Sequence, residues 1–466
     1  MKILHYMFGI PPVRVGGLVR YATDLMKRQY QMGHEVSLLI PGNISKNGRR
    51  KTVISPCRNN YMQIPSYDIC NPLPIPMCNG ITDIQSFTQC CDGREFAVFL
   101  QKLKPQIIHI HTFMGLHREF LDEAEKAGIP MIFTTHDYFG ICPTAVMLFR
   151  GHICEDTEWE NCGFCCQNAF SQRRLKIEQS EWYRIFRKHP GAVRVTKQTM
   201  RKVGSLTCKS IKLLQTVFGI QRSKERLPGK TSWNGKDYAV LKKYYASMFA
   251  RISYFHFNSA TARTIFEKRL GQLRGEVVPV SHSQIDDHRK KRVYGKKLRI
   301  GYLGSWAEHK GFFDLIKVCD ALVKDGCTKL ELHIYSDTDQ RTEPYVVNHA
   351  CFDADQLGDV FCDMDLLTLP GIWPETFGLV ALEALSYGVP VVFSAYAGAI
   401  DLLHAYPDIG FAYDGSMRGL KEILQKIYEN RELLLMANDN ILKMDDEFSY
   451  DRHVSQILYL YERFIR

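Results

Sequence analysis

The sequence predicts an α/β chain of two Rossmann-like domains, and three observations carry that expectation. Short apolar runs that end in turn residues alternate with stretches of helical period, the pattern of βαβ units. The alternation occurs once near the start and again from residue 298 onward, with a polar, charged stretch at 281–297 between them. A chain of 466 residues with 45% hydrophobic content is long enough to build two separate cores.

The first half opens with Lys2-Ile3-Leu4-His5-Tyr6, which reads as a buried strand. A proline-bearing loop leads to Gly16-Gly17, then to a helix in which Leu18, Tyr21, Ala22, Leu25, Met26 and Gln29 share a face. Glu35 to Ile40 is the next strand. Gly16 and Gly17 stand where a phosphate could approach backbone N–H groups, although glycines also simply make tight turns. Residues 43–92 show no clear period and read as a long irregular insertion. Ile107 to His111 and Met131 to Asp137 are two further strands, with a helix from Leu116 to Ala127 between them. Ligands in open α/β sheets bind beyond the carboxyl ends of strands, where His111 and the pair His136-Asp137 fall. A lone histidine in such a place serves structure more often than chemistry. Two of them make His136 a candidate site residue.

Cys142, Cys154, Cys162 and Cys165 follow, spaced C-x11-C-x7-C-x2-C. Four thiols with one C-x2-C pair could hold a structural Zn; the alternative is a set of buried, unligated cysteines. Residues 173–251 carry twenty Lys and Arg against four acidic residues, a net +16 in a chain of net +10. The segment reads as mostly helical, with Trp182, Ile185 and Phe186 among Arg184 and Arg187. Basic helices with an aromatic face suit an anionic membrane surface. Nucleic acid is not expected, because no RNA-binding or helix-turn-helix pattern accompanies the charge. The bland alternative is a solvated helical excursion.

Phe255 to Ala260 reads as the last strand of the first domain, and 281–297 as a hinge. The domains are then 1–280, with insertions 43–92 and 143–250, and 298–447, followed by a terminal helix at 448–466. The second domain starts with the strand Leu298 to Gly304, then Lys310-Gly311 and a helix. Asp365-Leu366-Leu367-Thr368-Leu369-Pro370 is a later strand. Beyond it lies Pro374-Glu375-Thr376-Phe377-Gly378-Leu379, leading into a helix that is apolar on nearly every side yet carries Glu383. Buried carboxylates need partners, so Glu383 is paired, in the bland reading with a structural Arg or Lys. Glu375 stands just before the helix, where free amides and the dipole favour an anion. By helical rise, Glu383 lies roughly 7 Å along the axis from Gly378. Asp363-Met364-Asp365 has the form of a metal-binding D-x-D, but it runs straight into a strand.

The stretch Glu375 to Glu383 resembles the E-x7-E signature of the retaining glycosyltransferases of family 4, which have the GT-B fold. Pro374 to Gly378 and Gly388 to Val392 fit the same pattern, and Lys310-Gly311 matches its phosphate-binding turn. The resemblance implies two Rossmann-like domains facing a central cleft, with the terminal helix crossing back to the first domain. It implies a UDP- or GDP-sugar as donor and no catalytic cofactor. Glu375 would contact the sugar, Glu383 the ribose, and Lys310 the diphosphate, with the amides of Phe377, Gly378 and Leu379. Gly16, Gly17 and His136 would belong to the acceptor domain, with His136 touching the sugar. Ser305 stands where the family has an arginine, so another group, His309 or a basic residue of the first domain, has to compensate, or activity is reduced. The expected acceptor is a lipid-linked or surface-polysaccharide glycan; the alternative is a nucleotide-sugar-binding partner subunit of little activity.

No run of about 18 apolar residues is present, and the first residues do not have the form of a signal peptide. A cytoplasmic protein, peripheral on the inner face of the membrane, is expected. Its fifteen cysteines are then mostly reduced.

Overall fold

The computed structural model describes residues 1–44, 51–187, 235–335, 340–350, 352, 356–445 and 448–465. Contacts divide the chain into two compact units. One comprises Met1–Ala145, Asp156–Phe255 and Tyr461–Arg466, the other Val146–Glu155 and His256–Leu460.

In the first unit the strands run Ser66–Cys70, Glu35–Pro41, Lys2–Tyr6, Ile107–Ile110, Met131–Thr134, and every pairing in that series is parallel. The chain therefore builds to one side of Lys2–Tyr6 first and then to the other. The ends of Lys2–Tyr6 and Ile107–Ile110 frame the point where the order reverses. The strand Ile107–Ile110 is buried along its whole length, as a central parallel strand covered on both faces should be.

Residues 43–92 were expected to be irregular, and here the structure corrects the sequence reading. Val53–Pro56 and Ser66–Cys70 are strands of this sheet, the former antiparallel at its outer edge. Pro56 is tolerated there because an edge strand has one unpaired side. Runs this short carry too few alternations to declare a period.

The basic segment is also corrected in part. Gln172–Glu178, Glu181–Arg187 and Gly235–Phe249 are helices, while 188–234 lies outside the described residues. The last of these helices is no solvated excursion. Tyr238, Leu241, Tyr245 and Met248 are buried, a stripe of helical spacing that packs into the first unit's core.

Among the described residues, the main sheet of the second unit has six parallel strands in the order Val346–His349, Leu330–Tyr335, Leu298–Leu303, Leu366–Leu369, Val391–Ser394, Gly410–Tyr413. This is the doubly wound order, and its reversal falls between Leu298–Leu303 and Leu366–Leu369. Phe312, Leu315, Ile316, Cys319 and Leu322 of the helix Phe312–Lys324 cover one face, at the spacing the sequence shows.

The division between units falls at Phe255, ahead of residue 280. Ser259 Oγ donates to Thr376 O at 2.7 Å, and the Ala260 N–H to Asp401 at 2.7 Å, which ties the helix Ala260–Leu270 to the second unit. The charged stretch 281–297 is likewise bonded to that unit. Arg289 donates to Ile441 O and Met444 O, and Arg292 to Phe361 O and Met364 O. Its polarity serves these backbone carbonyls.

Candidate active site

At the reversal point of the second sheet, two turns meet. The strand Leu298–Leu303 leads to a short 3-10 turn, Glu308–Lys310, and Leu366–Leu369 leads through Pro370 to Glu375. Gly311 lets them approach. It has φ 70°, and a Cβ there would lie 1.7 Å from Pro370 O, so no other residue fits. The Ile372 N–H donates to His309 O at 3.1 Å and fastens the two turns. Lys310 Nζ consequently makes an ion pair with Glu375 and lies 4.8 Å over the ring of Trp373.

Glu375 is held from its other side by Glu375 N–H to Tyr396 O at 3.0 Å and Gly398 N–H to Glu375 O at 2.9 Å. Gly378, at φ 103°, then caps the helix Leu379–Ser386, which is apolar and largely buried. Phe377 is buried and its carbonyl accepts from the Ala399 N–H at 2.7 Å. The backbone from Glu375 to Leu379 is thus rigid, and the Lys310–Glu375 pair keeps some exposure, 30% and 18%. A charged pair at the mouth of a doubly wound sheet is placed to receive an anion and a hydroxyl-bearing group together.

Glu383 is buried, and His282 is a partner that the sequence did not name. His282 Nε2 donates to Glu383 Oε1 at 2.8 Å, and the Gln284 N–H donates to His282 Nδ1, which fixes the ring's proton on Nε2. The sequence offered no signal for this pairing, because 101 positions separate the two residues.

Ser305 is exposed, and its carbonyl accepts from Tyr302 OH at 2.7 Å. His309, the group expected to compensate for Ser305, has its ring centroid 5.1 Å from that of Trp373. Burial, with Lys310 beside it, lowers its pKa to about 4, so its ring is neutral against Trp373. Asp365 is fully buried and takes Arg299 through Nε and Nη2, together with the Arg299 N–H. That carboxylate is a structural anchor between neighbouring strands, which accounts for it without a metal.

In the first unit Gly16, at φ 124°, caps the helix Gly17–Gln31, and a Cβ there would meet nothing within 4 Å. Gly16 and Gly17 are exposed, so the first-turn amides face open space. His136 follows the strand Met131–Thr134 and bonds to His111 at 3.1 Å, with its ring 4.7 Å from that of Tyr21. Asp137 accepts from the Phe139 N–H at 2.8 Å, and burial pushes its carboxyl up to about 6. A cavity of about 380 Å³ opens beside the loop after Lys2–Tyr6, lined among others by Gly9, Arg14, Arg58, Asp68 and Arg184.

Two family models match the chain, "Glycosyl transferases group 1" over residues 283–444 and "Glycosyltransferase Family 4" over residues 15–201. The first spans Lys310, Glu375 and Glu383; the second spans Gly16 and His136. The chain belongs to the family 4 glycosyltransferases. Its fold is GT-B. An uncharacterized 41.2 kDa protein in a cps region of Klebsiella pneumoniae is 26% identical over 185 residues, 37% of this chain and 50% of that protein. The match therefore spans half of that relative. Among solved structures, Anabaena HepE in complex with UDP-glucose aligns at a TM-score of 0.54 and 13% identity, over 99% of this chain and 100% of that one. A sucrose-phosphate synthase from Thermosynechococcus elongatus aligns at 0.55 and 12%, over 99% of both.

Among the described residues, Cys142, Cys154, Cys162 and Cys165 are not a group whose sulfur atoms all lie close enough to share an ion, so the expected structural Zn has no support. Cys142, Cys162 and Cys165 belong to the first unit and Cys154 to the second. Among the described residues, the groups of ligand atoms close enough to share an ion are His5, His109, His111 and Cys91, His117, Glu119. Burial, with Cys142, Cys166 and Cys165 nearby, raises the Cys162 thiol well above its usual range. The buried histidines His5 and His109 escaped the sequence reading, because a histidine inside a strand leaves the apolar pattern otherwise intact; His111 was noted for its place at a strand end.

Proposed function

We propose that this glycosyltransferase moves a hexose from a UDP- or GDP-sugar, with retention of configuration, to a lipid-linked or surface-polysaccharide acceptor. The observation that carries the reading is the Lys310–Glu375 pair at the reversal point of the second sheet. Each group neutralises the other until a donor arrives. The diphosphate then takes Lys310, which stabilises charge growing on the leaving group, and Glu375 accepts from a sugar hydroxyl. The amides of Phe377, Gly378 and Leu379 add fixed dipoles beside the phosphates. Glu383, oriented by His282, receives the ribose hydroxyls. His136 is the first unit's contribution to sugar binding, and the cavity beside Arg14 and Arg58 is the acceptor's place. HepE supports the donor class, since its structures contain UDP and UDP-glucose, and the cps-region relative is in keeping with a surface-polysaccharide acceptor.

Membrane apposition has support in the helix Glu181–Arg187, where Trp182 is 83% exposed and Ile185 50%. No helix among the described residues is long and apolar enough to cross a membrane. Replacing both with Ser should abolish binding to phosphatidylglycerol vesicles; undiminished binding removes the membrane from the account.

The second reading, a nucleotide-sugar-binding partner subunit, is favoured by Ser305 together with the neutral His309. Incubating the purified chain alone with UDP-glucose, GDP-mannose and a lipid-linked acceptor separates the two. Transfer rejects the partner-subunit reading; binding without transfer rejects the enzymatic one.

A further inference from the structure

A chain of buried side chains runs behind His136. Gln29, on the buried face of the helix Gly17–Gln31, places its Oε1 2.8 Å from His5 Nε2. His5 Nδ1 is 3.1 Å from His111 Nε2, and His111 Nδ1 is 3.1 Å from His136 Nε2. A second branch leaves the same carboxamide: Gln29 Nε2 donates to Tyr461 OH at 3.3 Å. Tyr461 OH is 2.5 Å from His109 Nδ1, and His109 Nε2 is 2.6 Å from Thr134 Oγ1. Gln29, His5, His109 and His111 are all fully buried.

We infer that Gln29 is a positioning residue that fixes the tautomer of His136 through His5 and His111. A neutral imidazole has one donor and one acceptor nitrogen, so each bond in the chain dictates the next. The carboxamide oxygen can only accept, which puts the proton of His5 on Nε2 and leaves Nδ1 as an acceptor. His111 must then donate from Nε2 and accept at Nδ1. His136 must donate from Nε2, and its Nδ1 becomes the acceptor nitrogen. On the other branch, Tyr461 OH accepts from the amide and donates to His109 Nδ1, so His109 donates to Thr134. Both branches are satisfied at once by one orientation of Gln29.

Two further observations agree with a relay of neutral rings. Burial lowers His5 to about 4, so it does not carry a charge at neutral pH. His5, His109 and His111 also have nitrogens close enough to share a metal ion, yet both ring nitrogens of each are engaged in the bonds above. A metal would have to displace that network. The consequence for chemistry is specific: with Nε2 donating to His111, Nδ1 of His136 can accept but not donate, so a sugar hydroxyl reaching it must be the donor. That last step rests on His136 being a sugar contact.

The test is nitrogen NMR of the full chain labelled at histidine, with His136 assigned by loss of its signals in His136→Gln. The wild-type protein should show His136 neutral with its proton on Nε2. Gln29→Leu should convert it to a mixture of tautomers and lower kcat on the order of tenfold with a smaller change in KM. Gln29→Glu, which keeps an acceptor for His5, should retain the Nε2 form. A wild-type His136 protonated on Nδ1, or a tautomer unmoved by Gln29→Leu, overturns the inference; the wild-type spectrum alone decides if a variant does not fold. If the tautomers behave as stated while His136→Ala transfers sugar normally, the relay stands and the sugar-contact reading falls.

Discussion

The two units place polar groups at the same topological point in opposite ways. Each sheet reverses its strand order beside its first strand. In the second unit that point holds a partly exposed ion pair, Lys310 with Glu375, on turns pinned by Gly311 and Gly398. In the first unit it holds a chain of hydrogen-bonded imidazoles, His5, His111 and His136, of which burial lowers the pKa of His5 to about 4. Charge that keeps contact with water costs little to hold and can be exchanged for a ligand's charge. Charge sealed in a core would be expensive, so the first unit uses dipoles instead. The same sheet plan thus carries a partly exposed charged pair in one unit and a buried hydrogen-bonded chain in the other.

Breaking the charged side of this comparison should have the largest effect. Glu375→Ala and Lys310→Ala should each lower transfer about 100-fold or more while leaving the fold intact, measured as kcat/KM with a nucleotide sugar. Near-normal rates would show that the pair is ordinary surface electrostatics. Asp365→Ala provides a contrast in kind: it removes the partner of Arg299 inside the second sheet. Unfolding should be easier by roughly 3 kcal/mol, at the low end for a buried pair because Arg299 is 30% exposed, as urea denaturation would show. Glu383→Gln should raise the KM for the nucleotide about tenfold, the loss of about one good hydrogen bond, with kcat little changed.

The neutral side is sharpened by pH. Burial lowers His5 and His256 to about 4 and His453 to about 3. Their unfolded forms take up protons near 6.5, so the unfolded state binds more protons between there and about 4. Stability should therefore fall as pH drops through that window. Asp137, raised to about 6, and Asp401, also raised by burial, work the other way over part of it, but two carboxyls are set against three histidines. Thermal unfolding followed from pH 7 to pH 4 should show a steady decrease; a flat profile would mean these rings are not buried neutral.

Much of this was legible because the relevant signals are local. Glu375, Gly378 and Glu383 lie within nine residues, and Lys310-Gly311 is adjacent in sequence, so strand, turn and helix periods locate them. Cys142, Cys154, Cys162 and Cys165 show the limit of that reasoning, since spacing gives a possible ligand set but not convergence in space. The strands Val53–Pro56 and Ser66–Cys70 were hidden by their brevity. His282 and the chain from Gln29 to His136 were hidden for another reason: their meaning lies in partners tens to hundreds of positions away. Ser305 was visible as a departure, and only the structure shows that burial lowers the pKa of His309 to about 4.

The central claim is that the Lys310–Glu375 pair opens to hold a nucleotide sugar. Its most direct measurement is thermal unfolding of the wild type, Lys310→Ala and Glu375→Ala in the presence of a panel of UDP- and GDP-sugars. The account predicts that at least one nucleotide sugar raises the wild-type midpoint and that both variants lose most of that increase. An equal increase in all three proteins would contradict it.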